Sequence, residues 1–141
     1  MRVLRWLLVL FVLLAAIWLL APKEPVDREI SFDESVLGDD LDAYLAQSEQ
    51  QFSGITPGSA KRIVWAGAAG AKTPLAIVYI HGFSATAEEI RPVPDAVAKA
   101  LGANLYFTRL AGHGRSSAAM AEVTAGDWIE DMAEAMAIGR R

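Results

Sequence analysis

Three hydrophobic patterns divide the chain. The first is an unbroken apolar run, Trp6 to Ala21 (WLLVLFVLLAAIWLLA), 16 residues long with Arg2 and Arg5 ahead of it. As a helix it reaches about 24 Å, or about 28 Å counted from Val3, against a hydrocarbon core of about 30 Å. The second pattern is the short unalternated stretch. Leu75 to Ile80 (LAIVYI) and Ala103 to Thr108 (ANLYFT) predict strands, the former covered on both faces as in a parallel sheet. Lys61 to Ala66 (KRIVWA) predicts a further strand beside Leu75–Ile80, with Trp65 in the core. The third pattern is helical spacing. Asp39 is the expected N-cap of a helix carrying Leu41, Tyr44, Leu45 and Phe52 on one face. Thr86 to Gly102 reads as helix, opened by a Thr86-x-x-Glu89 capping box, begun late or broken by Pro92 and Pro94, with Val97, Ala98 and Leu101 inward. Thr124 and Asp127 cap a last helix with Trp128, Met132, Ala135 and Met136 on its core face and Gly139 at its end.

Strand, helix, strand in this order implies a crossover and a parallel pair. The sharpest local signal is the stop after Ile80. His81-Gly82 breaks the strand, and glycine permits the tight reversal needed there. Such a turn leaves main-chain N–H groups facing outward at the carboxyl end of the sheet, where open α/β sheets place ligands. A second loop, Arg109 to Ser117 (RLAGHGRSS), follows the next strand.

HGFSA behind VYI, with RLAGHG one helix further on, resembles the α/β-hydrolases, of the esterase, lipase or serine aminopeptidase-like kind. In that family the loop after the third strand supplies one backbone N–H of the oxyanion hole, and the residue after the nucleophile supplies the other. The resemblance implies that the N–H of Phe83 is that donor. Gly82 then lets the backbone approach and Ser84 supports the loop. The second loop resembles the one after the family's fourth strand, with Gly112, His113 and Gly114 shaping the rim. The family's catalytic histidine follows nucleophile and acid in chain order. His113 is therefore expected to hold its own loop by hydrogen bonds, and His81 to be structural.

Composition narrows the rest. The chain has 141 residues, no cysteine and a formal charge of −4. A thiol nucleophile, a disulfide framework and a cysteine metal site are excluded. Lys and Arg are scattered, so nucleic-acid binding is not expected. Two distant histidines lack metal-ligand spacing, and neither a metal nor another cofactor is expected. Arginines ahead of the apolar run, and Trp6 and Trp18 near its ends, fit a signal anchor with the domain on the extracytoplasmic, periplasmic side. A removed signal peptide would give the same destination.

The expected fold class is α/β: an incomplete α/β-hydrolase fold, a parallel sheet with flanking helices, preceded by a transmembrane helix. The expected domains are an anchor (1–21), a linker and amphipathic helix (22–60) and the N-terminal part of a hydrolase domain (61–141). The family's nucleophile elbow, G-x-S-x-G, does not occur. The nearest pentapeptide, Gly114 to Ala118, lacks the last glycine and follows no strand. The resemblance thus implies a membrane-anchored serine hydrolase of an ester or similar acyl bond, with a small acyl substrate in the full-length protein. This stretch of it carries no nucleophile, acid or catalytic histidine, so it is expected to be inactive alone. The newest strand, Ala103 to Thr108, is expected to leave an open sheet edge. The alternative is a non-catalytic, membrane-anchored interaction domain with a partial hydrolase fold.

Overall fold

The computed structural model describes residues 2–23 and 26–141. Helix α1 (Arg2–Leu20) carries the apolar run; none of its residues is buried, and it is long and apolar enough to cross a membrane. The expected linker at the start of segment 22–60 includes Glu24 and Pro25, which lie outside the described residues. From Asp27 onward the chain is not a free linker. It forms a strap running alongside the last helix, ending in a 3-10 turn at Glu34–Leu37. Then come α2 (Leu41–Gln50), β1 (Arg62–Val64), β2 (Ala76–Tyr79), α3 (Val93–Leu101), β3 (Asn104–Phe107), α4 (Ser117–Ala121) and α5 (Ala125–Arg140).

The result is a mixed α/β arrangement around a three-stranded sheet in the order β1-β3-β2. β2 and β3 are parallel, with Ile77 opposite Leu105, as strand-helix-strand order implies. Two expectations about pairing are overturned. β1 pairs antiparallel with β3, Ile63 opposite Tyr106, and not with β2. The newest strand therefore occupies the middle of the sheet, and β2 lies at an edge. Alternation along β3 serves two cores. Leu105 and Phe107 pack with Ile77, Tyr79, Ala87 and Ala98 on the α3 side. Tyr106 packs with Leu37, Leu45, Ala135, Ala137 and Ile138 on the other, joined by Ile63 and Val78.

Several local expectations are corrected by hydrogen bonding and packing. The N-cap of α2 is Asp40, whose carboxylate accepts the Ala43 N–H at 2.9 Å, and not Asp39. Phe52 lies beyond α2 and is exposed. Thr86 and Glu89 do not cap a helix. Thr86 closes a turn, accepting the Glu89 N–H on its carbonyl (3.1 Å) and the Glu88 N–H on its hydroxyl (3.3 Å). α3 starts only at Val93, because Pro92 and Pro94 are tolerated before or within a first turn and not further on. Ala98 faces inward, but Val97 and Leu101 are exposed, since only one narrow face of α3 meets the sheet. Trp65 is half-buried at the surface, its indole N–H donating to Asp42 at 2.9 Å.

The capping box of α5 forms as expected from Thr124 and Asp127. Its buried face, however, is Glu134, Ala135, Ala137 and Ile138, while Met136 is exposed. Gly139 lies within the helix and does not end it. A Cβ there would come within 2.7 Å of Val78 Cγ2, so its smallness lets α5 approach β2.

Candidate functional site

The two glycine-histidine loops leave neighbouring parallel strands at the same end of the sheet. Beyond the regular ladder, the backbone N–H and the hydroxyl of Thr108 both donate to the Tyr79 carbonyl, each at 3.1 Å. The strands thus stay paired up to the loops. The first loop closes by Ala85 N–H to Gly82 O, 3.1 Å. Within it Ser84 has φ 58°, a left-handed conformation rare for a residue with a Cβ.

That backbone is held by the other loop. The imidazole of His113 accepts the Ser84 N–H on Nε2 at 3.2 Å, and its Nδ1 donates to the Ala111 carbonyl at 3.1 Å. His81 does the reverse. Its Nε2 accepts the Leu110 N–H at 3.1 Å, and its Nδ1 donates to the Gly82 carbonyl at 3.0 Å. Each histidine therefore fastens the loop it does not belong to. The acceptor role of Nε2 assigns both rings the Nδ1–H tautomer. The rings lie 4.8 Å apart, and both side chains are buried. Burial pushes the His81 imidazole below its ordinary pKa; the Gly82 carbonyl opposes this and the neighbouring His113 adds to it.

Helix α5 pins the second loop at Ala111. The Trp128 indole donates to the Ala111 carbonyl at 3.1 Å, and Asp131 accepts the Ala111 N–H at 2.6 Å. Burial raises the Asp131 carboxyl pKa, against the lowering effects of that N–H and of Lys61. Beneath the loops lies a polar network. Arg109 makes a two-armed ion pair with Glu49, at 2.8 and 2.9 Å, and donates to the His113 carbonyl at 3.3 Å. Lys61 and Tyr44 both donate to Glu134. The buried Tyr106 hydroxyl has no partner among the described residues.

The expected site residues His81, Gly82, Phe83, Ser84, Gly112, His113 and Gly114 are all in these two loops. The Phe83 N–H donates to nothing among the described residues. Its side chain is 74% exposed and stands edge-on to His113 and to Trp128, both at 6.0 Å. Gly112 and Gly114 are where the second loop meets its surroundings closely. A Cβ on Gly112 would lie 2.7 Å from Val123 Cγ2, and one on Gly114 2.7 Å from Ser59 Cβ. Between the loops is an open cavity of about 410 Å³, bordered by Thr56, Ser84, Thr86, His113, Arg115 and Ser116. Ser116 caps α4 through the Ala119 N–H at 3.3 Å. No seryl hydroxyl is hydrogen-bonded to an imidazole among the described residues.

Trp128 is expected from sequence only as core, Arg109 only as the start of the RLAGHG loop, and Asp131 and Glu49 carry no sequence signal. Charges on amphipathic helices ordinarily mark a solvated face, and nothing in the spacing of Glu49 and Asp131 distinguishes them.

No family model matches the chain. Over 61 residues it is 36% identical to a thermostable monoacylglycerol lipase of Bacillus sp. (strain H-257). The matched region is 43% of this chain and 24% of that lipase, so the chain spans about a quarter of the relative's length.

Proposed function

We propose that this chain carries the oxyanion-binding portion of an α/β-hydrolase acting on an ester or similar acyl bond, held at a membrane by α1 on the extracytoplasmic side. The observation that carries the reading is the unpaired Phe83 N–H at the carboxyl end of a parallel strand pair, with the next residue fixed by His113. The match to a lipase and the HGFSA and GHG loops point the same way.

In this reading the Phe83 amide meets the negative charge that develops on a carbonyl oxygen under attack. A fixed donor of this kind contributes about 3–4 kcal/mol in the transition state, because it is already oriented when charge appears. Gly82 and Ser84 set the donor's direction. His113 acts on Ser84, and α5 acts on His113's loop through Ala111. The attacking serine, the acid and the catalytic histidine belong to sequence not present in these 141 residues. Both local imidazoles have both nitrogens committed to main-chain partners, so neither is free to serve as a base. The same fact favours the second reading, a non-catalytic interaction domain with a partial hydrolase fold.

A fluorophosphonate probe is expected to leave this chain unlabelled; adduct formation at Ser84 or Ser116 overturns the assignment of roles. Reading the transcript past the Arg141 codon separates the two functions, the hydrolase requiring a strand and G-x-S-x-G. In that longer product, replacing Phe83 by the matching hydroxy acid exchanges its N–H for an ester oxygen. The expected result is a kcat lower by about 10²–10³-fold with KM nearly unchanged.

A further inference from the structure

The strap before α2 runs beside α5 in the same direction. A Cβ on Gly126 would lie 3.4 Å from that of Asp27. The Ser31 N–H and hydroxyl donate to Glu130 at 2.6 and 2.9 Å. Glu34 pairs with Arg140, and the Gly38 carbonyl accepts from Arg141 at 2.5 Å. The N-terminal end of α5 also carries Trp128, which holds the second loop, whereas its C-terminal end borders Thr73, Pro74, Ala76 and Asn104 at the start of β2 and β3. The strap therefore joins the domain at the end that bears the two histidine loops.

The seven residues from Ala21 to Asp27 connect α1 to that point and span at most about 25 Å even when fully extended. Helix α5 is itself about 24 Å long, so the opposite end of the sheet lies that much further from the attachment. The loop end exposes Phe83, and near it Arg115 stacks on the exposed Phe52 at 5.2 Å. The opposite end carries Asp39, Asp40 and Asp42 around one cavity, interleaved with Trp65, Lys72 and Arg141. An exposed aromatic ring suits the interfacial region of a bilayer, and the short connection to α1 keeps the loop end the nearer of the two.

We propose that the loop end, with Phe83 at its tip, is a lipid-facing surface, and that an acyl ligand reaches the site from the bilayer. This rests on the anchoring part of the reading above and not on its chemistry. The absence of cysteine makes the test direct. Single cysteines at exposed positions, Phe83→Cys and Ala118→Cys at the loop end and Lys72→Cys at the other, carry an environment-sensitive fluorophore in the full-length chain. The chain is reconstituted in phosphatidylcholine–phosphatidylglycerol vesicles with a headgroup nitroxide quencher. Both loop-end labels are expected to lose most of their emission while the Lys72 label keeps it. A further chain with about 16 Gly and Ser residues inserted after Pro22, adding roughly 20 Å of flexible reach, is expected to lose the contrast. Equal quenching at all three sites, or the reverse order, in vesicle-bound chain overturns the proposal alone. Failure of the chain to float with vesicles overturns it together with the anchor.

Discussion

Ser84 occupies a left-handed backbone conformation that costs roughly 1–2 kcal/mol for a residue with a Cβ, and the group opposing that cost is the imidazole of His113. His113→Ala removes the acceptor and leaves the Ser84 N–H unsatisfied in a part-buried site. The expected loss is about 1–3 kcal/mol of stability, read from the urea midpoint at constant slope. The glycines allow a sharper comparison. Gly102 and Gly114 both have positive φ, 59° and 64°, but only Gly114 is crowded, by Ser59. Gly102→Ala is expected to cost about 1–2 kcal/mol from conformation alone. Gly114→Ala adds an overpacking cost of about 1–3 kcal/mol to the same penalty. Equal losses in the two variants would show that the Ser59 contact relaxes freely. His81-Gly82 and Gly112-His113-Gly114 were legible as loops because glycine between strand and helix has few other uses. The crossed bonding of their imidazoles was not legible, since which N–H a ring accepts depends on tertiary distance and leaves no trace in spacing.

Among the elements, strands were easier to place than their order. The apolar runs at Leu75–Ile80 and Ala103–Thr108 marked β2 and β3 to within a residue or two. Nothing in hydrophobicity told which strand lies in the middle, because β1, β2 and β3 each offer apolar residues to a face. The strap was the least visible element. Its residues, Asp27 to Glu34, are mostly polar, and it is held by discrete bonds to Glu130 and Arg140 with Phe32 as a partly buried contact. Glu130→Ala is therefore expected to loosen the strap without unfolding the sheet. Limited proteolysis checks this: cleavage between Asp27 and Ser31 is expected to accelerate while fragments containing β1 to α5 persist. Simultaneous loss of the whole domain would show that the strap is part of the cooperative core.

For the molecule as a whole, two buried groups oppose each other as pH changes. Burial lowers the pKa of His81, so the unfolded chain binds its proton more readily than the folded one. Stability from this group is present above its ordinary value near 6.5 and falls as pH drops toward the lowered folded value. Protonation there also places a second N–H against that of Leu110. Asp131 has the opposite sign. Its raised folded pKa penalises the folded state at neutral pH, and this penalty is relieved as pH falls through the raised value toward 3.8. The His81 contribution is expected to lower Tm as pH falls from 7.5 to 6. A His81→Gln chain, which keeps an acceptor for Leu110, is expected to show a flatter slope over that range. An unchanged slope would assign the effect elsewhere. The pinning of Ala111 by Trp128 and Asp131 has a consequence during synthesis. Asp131 follows Ala111 by 20 residues, which at 5–20 residues per second is about one to four seconds of translation. Throughout that interval Ala111 has left the peptidyl-transferase centre without its two partners on α5, and the second loop is held by bonds that include those of His81 and the Arg109–Glu49 pair.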